Sequence, residues 1–404
     1  MSLGILQEPD ALSPVNNPLP IVVSSSSSTT DGFRYKIVLT ADGEDVEVWI
    51  YPDTDNGYYC IYDFSMILSD MIGTNKDNWS ITGNTEAYES LIDYSYTATE
   101  YIDATSGDTY SSGTFTAFKG VKQYGDFWDT EDYTMTGSTS KFLSNKISRK
   151  YKLDEYATIN SLRGTFGSYY SNWDQVILDL YNGDYWVRYY FTAFGSGGHM
   201  NTIYSIPIGP ANINLMSNGG LITNSGTTLP VSGDLLDATS VYYNIHLQKA
   251  NDVSSETIRI NLDHNCYKHD GVELLYLGDL STYETFSARM ADIKSFKTDR
   301  SEVKTNYYSI NTNQYNYSIG DRGRNLVNVR SQENHKVYTD WIKDNEADDL
   351  MELFRSPDVY IIMNGYIYPI IITSSSYEEK SVRNNRLFNY TITFSMAYEK
   401  LSNC

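Results

Sequence analysis

The sequence predicts a mainly β protein: two or more antiparallel β domains, of sandwich or barrel type, with a few short helices. Three observations carry that expectation. Thirty-seven tyrosines among 404 residues sit in short runs with other strand-forming residues. Apolar and polar residues alternate with a period of two in several stretches, which sets one face of each against a core and the other against water. Turn clusters punctuate these stretches, among them Asn364-Gly365 between two apolar runs, the strongest short-range hairpin signal. A chain of this length exceeds one typical core and divides into two or three domains.

Residues 1–32 read as an N-terminal extended arm. Pro9, Pro14, Pro18 and Pro20 exclude regular helix, and Ser24 to Thr30 form a flexible polar run. Beside that run stand Leu19, Ile21, Val22 and Val23. They are either a patch that docks on a neighbouring subunit or part of a loose terminus.

Residues 33–216 read as a β-rich domain. Phe33, Tyr35, Ile37 and Leu39 alternate before Ala41-Asp42-Gly43, and Val46, Val48 and Ile50 alternate after it, which is a hairpin. Ile61, Phe64, Leu68, Met71 and Ile72 recur at helical spacing, with Gly73 where a helix-ending glycine belongs. From 80 to 200 the Tyr-, Thr-, Ser- and Gly-rich chain predicts a meander of short strands, such as Trp186 to Thr192. A small basic stretch from Lys141 to Leu153 interrupts it.

Residues 217–240, with Gly219, Gly220, Gly226, Pro230 and Gly233, read as a linker or long loop. Residues 241–404 read as a second β-rich domain. Val241, Tyr243, Ile245 and Leu247 share one face, and Ile258, Ile260 and Leu262 repeat the pattern as a half-buried antiparallel partner. A helix near 337–355 is expected from Trp341, Ala347, Leu350, Met351 and Phe354, ending before Pro357. A C-terminal hairpin follows, Val359 to Met363 and Tyr366 to Ile372, whose Pro369 points to an edge strand or a bulge. After a charged turn from Tyr377 to Arg386, Phe388, Tyr390, Ile392, Phe394 and Met396 alternate as a last long strand. Tyr366 and Tyr368 join Leu19, Ile21, Val22 and Val23 as candidate interface residues.

The formal charge of −21 arises from 51 acidic and 30 basic residues with no compensating basic block. Phosphate binding needs clustered Lys and Arg, so direct sequence-specific nucleic-acid binding is not expected. Neither a basic leader with an apolar core nor a run of about 18 apolar residues is present, so neither secretion nor membrane insertion is expected. Cys60, Cys266 and Cys404 form no disulfide framework.

Chemistry has few tools here. Asp263-His264-Asn265-Cys266 with His269-Asp270 is the one cluster of metal-like composition, but it has neither paired CxxC nor HExxH spacing, so no metal site is expected. Asp129 with Glu131 and Glu378 with Glu379 are ordinary pairs in so acidic a chain. Gly195-Ser196-Gly197-Gly198-His199 reads as a turn, and neither a GxSxG elbow nor a phosphate loop occurs. The chain is expected to be no enzyme and to take no cofactor. Its tyrosines suit contact with protein or sugar as well as they suit sheet packing. Trp79, Trp128, Trp173 and Trp186 lie among the Tyr-rich strands, where exposed rings could stack on a sugar and buried ones would be core.

Several short elements, taken in order, resemble a known family. Ser13-Pro14-Val15-Asn16-Asn17-Pro18 ahead of Phe33-Arg34-Tyr35 resembles the opening of virion structural proteins of tailed phages that infect Bacteroidota, including the crAss-like group. Asp63 to Leu68 after Gly57-Tyr58 is similar to that family's glycine-tyrosine strand and short helix. Lys141-Phe142-Leu143-Ser144-Asn145 is similar to its FLTN element, Ile208 to Asn212 to its GPxN element, and Cys266-Tyr267-Lys268 to its cysteine strand. The chain departs from the family at Leu275-Tyr276-Leu277-Gly278-Asp279, where a tryptophan-glycine turn is expected. The resemblance implies a particle component made in the host bacterial cytoplasm and carried in the virion: a tail hub, adaptor or baseplate ring protein. Its partners would be further copies of itself in a ring and other tail or neck proteins. The alternative is a glycan-binding adhesin at a tail tip or bacterial surface. No catalytic residue follows from the resemblance.

Overall fold

The computed structural model describes residues 3–55, 57–123, 126, 128–135, 139–191, 201–224, 227–228, 234–249, 254–267, 271–305, 309–311, 314–316, 323–339, 342–373 and 387–401. The protein is mainly β, with several sheets, three α-helices and no closed barrel among the described residues. It divides into two units: Met1–Asn265 with Gly278–Glu284, and Cys266–Leu277 with Thr285–Cys404. The backbone thus passes between units three times, after Asn265, Leu277 and Glu284.

In the first unit, Phe33–Ala41 pairs with Glu44–Ile50 on one side and Leu91–Ile102 on the other. Tyr35, Ile37 and Leu39 alternate inward as the sequence predicts and share one core with Tyr94, Tyr96 and Ala98. Asp42 (φ 50°) and Gly43 (φ 78°) form the two-residue turn, both in the left-handed region that this hairpin type requires. Helix α1 (Ser65–Met71) buries Leu68 on this core, while Ile61 lies on a preceding strand, Cys60–Asp63. The helix ends without using Gly73 as a left-handed cap. That glycine instead lets Glu89 approach, since a Cβ there would lie 3.1 Å from the Glu89 Cβ.

The N-terminal arm is a correction. Leu3–Gln7 and Pro20–Ser25 pair antiparallel, Pro20–Ser25 pairs in turn with Cys60–Asp63, and Leu12–Pro14 runs parallel to Phe115–Phe118. Prolines exclude helix but not an extended strand, and Pro20 occupies the first strand position, where its missing N–H is tolerated.

The remainder of this unit is a sandwich. Thr158–Phe166 and Thr202–Pro207 form one layer. A larger sheet including Gln175–Tyr181, Trp186–Phe191, Tyr242–Gln248, Ile258–Leu262 and Ser148–Tyr151 forms the other. Ile159, Tyr204 and Ile206 meet Val176, Leu178, Tyr243 and Ile245 between the layers, and helix α2 (Pro210–Asn218), which the sequence reading did not foresee, adds Ile213 and Met216. Each such side chain contributes about 1.5–3 kcal/mol on burial. Ser148–Tyr151 runs parallel to Ile258–Leu262, so the sheets are mixed and not purely antiparallel.

The expected linker at 217–240 and the boundary at 241 are also corrected. Tyr242–Gln248 pairs along its length with Gln175–Tyr181, Ile222–Asn224 pairs with Trp186–Phe191, and Leu236 is buried, its N–H bonded to Asn214 Oδ1 at 2.7 Å. Gly219 and Gly220 close helix α2 ahead of the strand Ile222–Asn224 and do not mark the end of a domain. Gly226, Pro230 and Gly233 lie outside the described residues.

The segment Gly278–Glu284 is seated in the first unit by buried polar contacts. Asn160 Nδ2 donates to Ser281 O at 2.9 Å, and Thr282 Oγ1 donates to Leu143 O at 2.5 Å. Arg149 meets Glu284 at 2.7 Å with each side chain only 2% exposed, and Ser144 donates to the same carboxylate at 2.6 Å.

The second unit is built on an antiparallel sheet, running in neighbour order through Val272–Leu277, Val359–Met363, Tyr366–Ile372, Thr391–Met396, Arg324–Tyr338 and Ala291–Lys304, with two separate strand pairs beside it, Ser309–Asn311 with Gln314–Asn316 and Ile342–Lys343 with Leu387–Phe388. Helix α3 (Asp344–Arg355) buries Leu350 and Leu353 in its core, with Tyr276, Ile361, Ile392 and Phe394. The helix begins later than 337, because Val337 and Tyr338 complete a strand, Val337 opposite Ile392. Trp341 lies outside the described residues. Asn364 (φ 53°) and Gly365 (φ 77°) make the expected hairpin turn.

Pro369 is on an interior strand, not at an edge. Its carbonyl accepts from Ala397 N at 3.0 Å, so its missing N–H faces the same side, where the Thr391–Met396 strand has just ended. The last long strand is broken as well: Leu387–Phe388 pairs with Ile342–Lys343, and pairing resumes at Thr391 after Tyr390 N donates to Thr339 Oγ1 at 2.8 Å. The turn from Tyr377 to Arg386 lies outside the described residues.

Candidate interaction surfaces

Of the six candidate interface residues, Leu19, Ile21 and Val23 are buried in their own unit against Phe33, Tyr35 and Phe64. They are core, not contact surface, because the strand Pro20–Ser25 turns every second side chain inward. Val22 is half-buried on the same strand. Tyr366 is 70% exposed beside the Asn364-Gly365 turn, and Tyr368 packs half-buried on the second core. Six tyrosines, Tyr35, Tyr94, Tyr96, Tyr204, Tyr243 and Tyr276, are among the largest fully buried side chains. Burial pushes the phenol pKa of Tyr35, Tyr94, Tyr96 and Tyr243 upward, and the Cys60 thiol up to about 12.

A long ribbon, exposed over much of its length, is an element the sequence reading missed. Ala291–Lys304 pairs with Arg324–Tyr338 from Ala291↔Tyr338 to Lys304↔Arg324, with a bulge beyond Ser301. At its root the second strand is covered by Thr391–Met396, from Asn334 to Tyr338, and near Arg330 by Lys400–Leu401. Farther out two strands run together. Phe296 (61%), Val327 (54%), Ile293 (53%), Val303 and Leu326 are exposed on it. A two-stranded ribbon is marginal in water by itself, and exposed apolar side chains with open strand edges mark a pairing or contact surface.

The root is pinned by His335. This buried ring stacks on Phe394 (centroids 4.8 Å, planes 7° apart), with Nδ1 3.1 Å from Asp292 Oδ1 and Nε2 3.4 Å from Glu333 Oε1. The two carboxylates flank opposite nitrogens and do not converge on one point. No period-two alternation announced the ribbon, since neither outer face is set against a core. The usable signal was the spacing of Ile293, Phe296, Val303, Leu326, Val327 and Val329 among charged residues.

A second surface lies on the outer face of the large sheet. Trp186, Tyr181 and Tyr242 stand side by side on three adjacent strands, with ring centroids 5.1–5.4 Å apart. The Arg259 guanidinium lies 4.5 Å over Tyr242, and Arg188 donates twice to Asp179, at 2.7 and 2.9 Å. Trp186 is 50% exposed. Trp79 and Trp173 are buried, and Trp128 stacks on Tyr133 at 4.5 Å with its Nε1 donating to Leu12 O at 2.6 Å. Trp186 alone among these four offers a half-exposed ring on a sheet face.

A cleft of about 510 Å³ is lined by Asp42, Glu89 and Asp93 with Met71, Leu91 and Ile92. Thr116 Oγ1 donates to Asp93 at 2.7 Å.

The described members of the metal-like cluster, Asp263, His264 and Cys266, do not gather into one site. His264 Nε2 lies 2.6 Å from Ser240 O, Asp263 meets Lys150 at 3.3 Å, and Cys266 is exposed; His269 and Asp270 lie outside the described residues. Among the described residues no group of three His, Cys, Asp or Glu side chains is arranged to hold a metal ion. Asp129 caps a short 3-10 helix by accepting from Glu131 N at 2.9 Å, a structural role. Gly195 to His199, Glu378, Glu379 and Cys404 lie outside the described residues. No helix among the described residues is long and apolar enough to cross a membrane. No protein-family model matches the chain, and no curated protein matches it.

Proposed function

We infer that this chain is a structural subunit of a tailed-phage particle, a tail hub, adaptor or baseplate ring protein, that works through subunit-subunit contacts and not through catalysis. The observation that carries the reading is the ribbon. It places apolar side chains and strand edges in water, an arrangement that assembly with another chain relieves. The ordered set of motifs resembling virion proteins of Bacteroidota phages supplies the biological setting. A ring subunit forms a closed cyclic homo-oligomer with interfaces well above about 1,000 Å². Mass spectrometry of purified particles should detect the chain, and electron microscopy of the purified protein should show rings. A strictly monomeric protein missing from particles would sink the reading.

The half-exposed Trp186 beside Tyr181 and Tyr242, flanked by Arg188, Asp179 and Arg259, favours a second reading: a glycan-binding adhesin. Aromatic faces stack on sugar rings while charged neighbours take the hydroxyls. Saturable binding on a glycan array that disappears in Trp186→Ala would support it. Trp128→Ala is no test, because that indole is packed and hydrogen-bonded within the fold.

A further inference from the structure

The net charge is unevenly divided. The first unit holds 34 of the 51 acidic residues but only 14 of the 30 basic ones, which leaves it at −20. The two ribbon strands invert the balance, with seven Lys or Arg against four Asp or Glu. A basic ribbon with exposed apolar side chains and a strongly acidic body are complementary, and both are present in every copy of the chain. Complementary potentials steer association and fix register, while apolar side chains supply the burial that holds it.

Resting on the subunit reading above, we propose that the ribbon of one copy docks on the acidic first unit of a second copy. The contact is heterologous: a ribbon meets a different surface on its neighbour, leaving that neighbour's own ribbon available to the next copy. Such head-to-tail contacts generate rings where the rotation closes.

The test uses the full-length chain with Lys297, Arg300 and Lys304, all exposed on the outer ribbon, changed together to Glu. Sedimentation should show oligomers of the unchanged protein, weakened as salt rises and the Debye length shrinks to about 3 Å near 1 M. The triple variant should associate at least tenfold more weakly while keeping its circular dichroism spectrum. Carbodiimide cross-linking of a mixture of ¹⁴N- and ¹⁵N-labelled copies should join Lys297 or Lys304 of one copy to carboxylates within residues 3–265 of another. Ring formation that is indifferent to the triple change, or mixed-label links confined to the second unit, overturns the docking while the subunit reading stands. A protein found in particles yet monomeric in solution at every concentration also overturns it. A duplex oligonucleotide serves as the competing probe. Saturable binding lost in the triple variant, without any mixed-label link, would assign the ribbon to nucleic acid instead.

Discussion

The strand pair Phe33–Ala41 with Leu91–Ile102 and the ribbon Ala291–Lys304 with Arg324–Tyr338 are both long antiparallel ladders, but different physics maintains them. In the first, every second residue is buried, and Tyr35, Ile37, Leu39, Tyr94 and Tyr96 hold the strands by what they exclude from water. In the second, Ala291–Lys304 is exposed beyond Asp292 and Arg324–Tyr338 is exposed or half-buried outside its root, and the ladder rests on hydrogen bonds and cross-strand pairs that are each modest in water. The first is held by its own core. The second keeps much of its side-chain surface in water.

Experiments that break this comparison can be ranked by expected effect. The largest is removal of one partner from the buried Arg149–Glu284 pair, since an uncompensated buried charge costs about 3–5 kcal/mol. Arg149→Met alone should lower the first unit's denaturation midpoint sharply, and adding Glu284→Leu should restore much of it. An unchanged midpoint in the single variant would mean that the carboxylate reaches water. Next, Ile37→Ala should destabilise the first unit by about 2–4 kcal/mol through a core cavity, read as loss of amide-exchange protection across residues 33–102.

The buried phenols sharpen the same contrast. Their pKa values are raised on folding above the ordinary 10, so the folded state keeps protons that the unfolded chain releases. Their contribution is fully present below about pH 10 and is lost as pH rises beyond it. Tyr35, Tyr94 and Tyr96 should therefore ionise only together with cooperative unfolding of the first unit in an absorbance titration. Smooth ionisation without unfolding would contradict their burial. A smaller effect, about 1 kcal/mol, is expected for Gly365→Ala at φ 77°. The smallest is Ile293→Ala on the ribbon, within about 0.5 kcal/mol in the isolated chain, because an exposed side chain has little burial to lose.

The same contrast explains what was legible in the sequence. Period-two alternation reports half-burial, so it located Phe33–Ile50 and Tyr242–Leu262, whose cores lie on one face, while the Asn364-Gly365 turn located the C-terminal hairpin. The alternation was silent about the ribbon, where no face is buried. At the N-terminus the prolines and serines of Pro20 to Ser25 mask the alternation of Ile21 and Val23, which meet the core. The linker at 217–240 failed for a related reason, since loop-forming residues mark turns but not what lies beside them. Of the candidate contact residues, Tyr366 is exposed. The exposed aromatic group at Trp186 required the register of three strands, Tyr181↔Trp186 and Tyr181↔Tyr242, which no local pattern encodes.

The triple passage of the backbone between the two units has a mechanical consequence. A protease nick after Asn265 would not free the pieces, because Gly278–Glu284 stays lodged in the first unit through Asn160, Leu143 and Arg149. To separate the pieces, these buried polar contacts would have to be broken. A molecule stitched in this way tolerates a broken thread.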